Sequence, residues 1–189
     1  MTGTAAVVLV LAGVSLAGAA MPAGAASRQA DEVVATAACP TSWNTKDKSL
    51  RNSPTTPLRN ITTSEHRCYD RLVVDVPNVT DKIGYHVGYV KEFTQEHSGE
   101  PIKVKGGAIL AIVVNAPSYD TSNGKATYPA KGKKSLPGVN VTGYKTFRDT
   151  KFGASVEGQT QFALGLRSKL PYRITQSGDK LIVDVVHTR

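Results

Sequence analysis

The chain contains two copies of one seven-residue amphipathic pattern, more than a hundred residues apart. Asp70–Val76 reads Asp-Arg-Leu-Val-Val-Asp-Val, and Asp179–Val185 reads Asp-Lys-Leu-Ile-Val-Asp-Val. Apolar side chains at alternate positions have the period of a half-buried β-strand. Two such strands predict a β-sandwich made of two related halves. Charged–apolar alternation also occurs in unrelated strands, so duplication and chance likeness both stay open, and either origin predicts two strands.

Other segments share this period-two character. It continues in Gly84–Phe93 and Phe162–Leu166, whereas Ala108–Val114 is apolar at every position, as in a central strand covered on both faces. Turns rich in glycine, proline and asparagine separate the segments. No window of helix length carries the apolar spacing of an amphipathic helix. The predicted fold class is therefore all-β, a β-sandwich of two sheets with internal pseudo-symmetry.

The N-terminus has the pattern of an export signal. Ala5–Ala20 is almost wholly apolar, and the small residues Ala23–Ala25 follow it as a cleavage site. The apolar run is shorter than the roughly 20 residues that a membrane-spanning helix needs. Met1–Thr4 contains no lysine or arginine, and a true start codon further upstream would account for this. We predict a signal peptide over residues 1–26, a flexible leader over 27–38, and a secreted protein with no transmembrane segment after cleavage.

The two cysteines predict a disulfide. Cys39 and Cys68 are the only cysteines, and an oxidising exported compartment favours their pairing. The bond would pin a Pro/Ser/Thr-rich arm, residues 39–63, onto a domain predicted over residues 64–189. The alternative is two free thiols in a reducing cytosol. A zinc site is not expected, because no histidine pair lies nearby to complete four ligands.

The charge balance bears on the partner. The chain has a formal net charge of +8 and a sequence pI near 9.5. In the cytosol, such a positive charge would suggest nucleic acid as a partner. Outside the cell, the same charge favours anionic polymers or anionic lipid head groups. We therefore expect a cell-wall polymer or an envelope protein and no nucleic acid. A basic surface that only maintains solubility is the alternative.

One long polar stretch, Ala116–Pro137, interrupts the strands. Loops of this length in a compact domain are usually functional or disordered. This one combines aromatic and cationic residues, which on a rigid β scaffold can hold a polyanion or a sugar ring. The predicted ligand-binding residues are Tyr128, Lys131, Lys133 and Lys134. The alternative is a solvated connection whose lysines face water.

Catalytic patterns are absent from the sequence. It has no G-x-S-x-G elbow, no nucleotide fingerprint, and no metal-ligand spacing among His66, His86, His97 and His187. Asp75 and Asp184 could be imagined as an acid–base pair. Their strand alternation turns each away from the leucine face, so both are predicted to be solvated. We expect no catalytic residues, no metal and no cofactor, and thus not an enzyme.

Several segments, taken together in their order along the chain, resemble the AMIN-like domain of secreted and lipid-anchored actinobacterial proteins. The similarity covers about His66–His187. The resemblance implies a β-sandwich of two symmetry-related sheets and supplies no catalytic residues. The related AMIN domain targets cell-wall amidases and secretin subunits to the envelope, in amidases by binding peptidoglycan. The segments are Tyr69–Asp75, Gly84–Val90, Val156–Gly158, Phe162–Leu166, Pro171–Ile174 and Leu181–His187.

These observations predict a secreted, non-catalytic envelope module that binds peptidoglycan or an associated anionic wall polymer. The alternative is a secreted protein-interaction partner or inhibitor, which adds a strand from another chain to an exposed sheet edge.

Overall fold

The structure is a computed structural model that describes residues 38–53 and 56–188, so the predicted signal peptide lies outside it. The described residues form no helix, and hence none long and apolar enough to cross a membrane. They form two antiparallel sheets, ordered β1-β4-β5-β7-β6 and β2-β3-β9-β8, which confirms the predicted β-sandwich. The strands are β1 Lys48–Leu50, β2 Asn60–Glu65, β3 Tyr69–Asp75, β4 Tyr85–Val90, β5 Ala108–Val114, β6 Phe147–Val156, β7 Gln159–Leu166, β8 Tyr172–Ser177 and β9 Lys180–Val186.

The two copies of the repeated pattern lie side by side at the centre of the four-stranded sheet, as β3 and β9. Leu72 lies opposite Val183, and Val74 lies opposite Leu181. Leu72 corresponds to Leu181 in the repeat, and Val74 to Val183, so exchanging the two strands maps each pair onto the other. This sheet therefore has local two-fold pseudo-symmetry, with the hairpins β2–β3 and β8–β9 as its halves.

Strand β5 is apolar on both faces because other parts of the chain pack against each face. Its inward side chains, Leu110, Ile112 and Val114, are fully buried in the main core between the sheets. The connection from β4 to β5 folds back over the outer face of the five-stranded sheet. There Phe93 and Ile102 form a second, smaller cluster with Ala163 of β7. Val104 of the connection and the outward residues Ile109 and Ala111 of β5 pack against this cluster.

A buried carboxylate connects the two sheets. Asp70 of β3 is fully buried and accepts hydrogen bonds from the backbone N–H groups of Thr146 and Phe147, at 2.7 and 2.9 Å. Its other oxygen lies 2.8 Å from His187 Nε2, just beyond β9. Because Phe147 begins β6, the carboxylate joins the centre of one sheet to the edge strand of the other. A buried charge of this kind is stable only when donors surround it, as they do here.

The predicted arm, residues 39–63, belongs to the sheets more than expected. Its residues Lys48–Leu50 pair with β4, and β2 begins at Asn60, before the boundary predicted at residue 64. Leu58 and Ile61 are fully buried, which explains why this segment joins the sandwich. The Cys39–Cys68 disulfide is present and ties the start of the segment to the connection between β2 and β3.

Removal of this disulfide should lower stability. In the chain-entropy model, a closed loop of about 30 residues contributes roughly 3–4 kcal/mol. We expect the C39S/C68S variant to lose about that much unfolding free energy in urea titrations. The wild-type protein in excess reductant should match the variant. Equal stability of the variant and the oxidised wild-type protein would contradict the prediction.

Candidate functional site

The long connection Ala116–Pro137 packs against the core in part. Tyr128 is only 3% exposed, and its hydroxyl donates a hydrogen bond to the Pro137 carbonyl at 2.8 Å. Burial raises the pKa of this hydroxyl. Leu136 is also buried. The prediction that Tyr128 binds a ligand is therefore wrong, because its ring belongs to the core and a large ligand cannot reach it.

The other three predicted residues lie together in a tight turn, Lys131–Lys134, which we call the lysine turn. The Lys134 N–H bonds to the Lys131 carbonyl at 3.1 Å, and all three lysines are exposed. The turn is also bound to β6, since the Lys133 N–H donates to the Phe152 carbonyl and the Phe152 N–H donates to the Lys134 carbonyl, each at 2.8 Å. Three ammonium groups are thus presented from a fixed backbone.

The shape of β6 explains where the turn attaches. A register shift between Phe152 and Ala154 marks a β-bulge, and the turn bonds to the strand at that point. Lys133 has a φ of 66°, a left-handed conformation that side chains other than glycine rarely adopt. A Cβ on Gly132 would lie 3.3 Å from the Gly153 carbonyl, so a larger residue would crowd the strand. The turn is held in a specific conformation against the sheet edge.

One of the three charges is already paired. Lys133 Nζ lies 2.5 Å from Glu100 Oε2, with both side chains about half exposed. This hydrogen bond lowers the pKa of the Glu100 carboxyl, which is therefore ionised at neutral pH. Among the residues that the structure describes, none forms an ion pair with Lys131 or Lys134. Two ammonium groups are available to an anionic ligand, and Lys133 can exchange its exposed partner.

A second charged cluster lies on the outer face of the four-stranded sheet. Asp184 is fully buried, with Arg71 Nε 2.6 Å from one carboxylate oxygen and a terminal nitrogen of Arg173 2.9 Å from the other. The Arg173 guanidinium also lies 4.5 Å from the centre of the Trp43 ring. The prediction of a solvated Asp184 is therefore wrong, because arginines from both neighbouring strands and an aromatic ring cover it.

This cluster has a weaker equivalent in the other half of the pseudo-symmetric sheet. Asp75 corresponds to Asp184 in the repeat and pairs with Lys180 at 2.6 Å, but this pair is largely exposed. Asp75 is thus a surface residue, as predicted. Both guanidinium groups of the buried cluster already bind Asp184, so the cluster offers less free positive charge than the lysine turn.

Two of the four histidines, His66 and His187, have structural partners. His187 contacts Asp70 and the Arg67 carbonyl, and His66 lies 3.0 Å from the Ser64 hydroxyl while its ring stacks on Tyr69. Within residues 38–53 and 56–188, no group of three His, Cys, Asp or Glu side chains is arranged to hold a metal ion.

The AMIN-like domain family model matches residues 56–187. Because the match covers most of the chain, the protein belongs to this family, and the resemblance noted in the sequence is confirmed. Membership relates the chain to cell-envelope modules. Neither the curated proteins nor the solved structures include a significant match. The family match starts after the part of the arm that carries Trp43 and β1.

The two equivalent aspartates should differ sharply in their effect on stability. Asp184→Ala leaves the guanidinium groups of Arg71 and Arg173 without their carboxylate, and because these groups are 24% and 40% exposed we expect a loss near the low end of the about 3–5 kcal/mol that breaking a fully buried ion pair costs. Asp75→Ala removes an exposed pair, which is worth less than about 1 kcal/mol. Urea unfolding of both variants measures the difference. Equal losses would contradict the assigned burial.

Proposed function

We propose that this protein is a secreted, non-catalytic envelope module that binds peptidoglycan or an associated anionic wall polymer through the lysine turn. The observation that carries the proposal is the attachment of Lys131–Lys134 to the bulge of β6. A fixed backbone reduces the entropy lost when a flexible polymer binds. The net charge of +8 adds a long-range attraction to such a polymer.

The contacts define the kind of binding. The three ammonium groups are exposed and point charges, so they recognise carboxylates or phosphates without a deep pocket. Exposed charges are screened by salt over a Debye length of about 8 Å at physiological ionic strength. Binding through this surface is therefore modest in affinity, strengthened by repeated sites along the polymer, and sensitive to salt.

Strand addition to a sheet edge, the alternative, has less support. The outer edge of β6 is partly occupied by the lysine turn. At the edge of β8, Asn44 forms a bridge with Tyr172, whose N–H donates to the Asn44 carbonyl at 3.0 Å. These two edges therefore offer fewer free backbone groups to an incoming strand than a bare edge does, and the two edges that remain for this alternative are β1 and β2.

Sedimentation with purified peptidoglycan across a salt series tests the proposal. We expect the wild-type protein to sediment with the wall material at low salt and to be released as salt rises. The variant K131A/K133A/K134A should sediment several-fold less, since it loses the charges of the turn. All samples carry the same N-terminal segment, so its contribution is the same in each.

The matched control removes the same charge elsewhere. Lys46, Lys82 and Lys125 are exposed and lie outside the lysine turn. The variant K46A/K82A/K125A should therefore sediment nearly as the wild-type protein does. Equal sedimentation of the wild-type protein and the turn variant would refute the assignment of the site, and no sedimentation of the wild-type protein would refute wall binding itself.

A further inference from the structure

The outer face of the five-stranded sheet carries an apolar groove that the lysine turn does not line. It has a volume of about 570 Å³ and runs between β4 and the segment before β5. Val90 and Ile109 contribute apolar surface from the sheet, and Val104 contributes it from the connecting segment. Val90 is 38% exposed, which makes it one of two exposed large apolar side chains among the described residues. A second groove of about 410 Å³ shares Val104 and Ile109 with the first, so the two are continuous.

The wall of the groove is held in place by close backbone packing. The Gly107 N–H donates to the Leu166 carbonyl at 2.8 Å. A Cβ on Gly106 would lie 2.5 Å from the same carbonyl, and one on Gly165 would lie 1.9 Å from the Lys105 carbonyl. Only glycine permits this approach, so the groove is a formed feature of the fold and not a gap between mobile loops.

Positive charge surrounds the apolar surface. Lys91, Lys103 and Lys169 line the two grooves, and Glu92 is the one acidic residue that lines them. Lys169 Nζ lies 5.3 Å above the ring of Tyr89, whose hydroxyl donates to the Leu170 carbonyl at 2.6 Å. The groove therefore combines an apolar floor with a cationic rim, a composition that complements a ligand with an apolar body and an anionic end.

We propose that this groove binds an anionic lipid, with an acyl chain along Val90, Val104 and Ile109 and the phosphate of the head group at the lysines. A hydrophilic polyanion would use the lysines and leave the apolar floor in contact with water. An extended peptide gains little at the floor, because β5 pairs with β4 on one side and β7 on the other. A lipid uses both parts of the groove, and its site is separate from the one proposed for the wall polymer.

Calorimetric titration with short-chain lipids below their micelle concentration tests the proposal. The probes are dihexanoylphosphatidylglycerol, dihexanoylphosphatidylcholine and free glycerol phosphate. We expect the anionic lipid to bind more tightly than either of the others, because only it has both the chain and the net negative charge. The variant K91A/K103A/K169A should lose roughly a hundredfold in affinity for it, since each lysine near an anionic head group contributes about 1 kcal/mol and about 1.4 kcal/mol corresponds to tenfold.

Three matched variants make the test specific to the groove. V90D places a charge on the apolar floor and should abolish binding of the anionic lipid, whereas L50D changes the other exposed apolar side chain, on β1, and should not. K131A/K133A/K134A removes three lysines outside the groove and should bind the lipid as the wild-type protein does. Thermal unfolding confirms that each variant is folded.

Other outcomes overturn the proposal. Glycerol phosphate binding as tightly as the lipid would assign a simple anion site, and equal effects of V90D and L50D would remove the groove from the interaction. Absence of lipid binding to the wild-type protein would refute the proposal directly. None of these results bears on wall sedimentation, which depends on a different set of lysines.

Discussion

The antiparallel pairing of β3 with β9 organises the rest of the sandwich. Val73 lies opposite Ile182, and each is the central residue of its copy of the repeat, so the two copies are related about that point. A shift by one residue would turn Leu72 and Leu181 from the core to the outer face, so the buried face specifies the register strongly. Beyond one end of the pairing, His187 reaches Asp70, whose carboxylate also binds the start of β6. The pairing of β3 with β9 thus determines the register at the centre of its own sheet and positions the carboxylate that joins this sheet to the second one.

This arrangement separates three surfaces with different chemistry. On the outer face of the four-stranded sheet, Asp184 forms ion pairs with Arg71 and Arg173. The charges of this cluster are therefore largely neutralised by one another. The lysines proposed as ligand contacts lie around the five-stranded sheet, at the edge of β6 and around the groove beside β5. At the edge they form a purely hydrophilic turn, and at the groove they surround apolar side chains. A wall polymer and a lipid are therefore proposed for different places on one rigid scaffold.

Much of the fold could be predicted from the sequence because strand periodicity is a local property. The repeat located β3 and β9, and the two cysteines located the disulfide. Properties that depend on cross-strand partners were missed. The burial of Asp184 follows from Arg71 lying directly opposite it, and pairing the two copies against each other could have revealed this. Tyr128 stands in a polar stretch without periodicity, so nothing local indicated its burial. The strands β1 and β2 are short and polar, and they form because edges of β4 and β3 are available to them.

The most direct test of the central pairing is nuclear Overhauser spectroscopy of the α-protons in β3 and β9. The Val76 N–H donates to the Asp179 carbonyl, so by antiparallel alternation Val73 and Ile182 form a non-hydrogen-bonded pair, in which the α-carbons approach most closely. A strong contact between the α-protons of Val73 and Ile182 is the predicted result. A contact displaced by one residue, or none between these strands, would contradict the account.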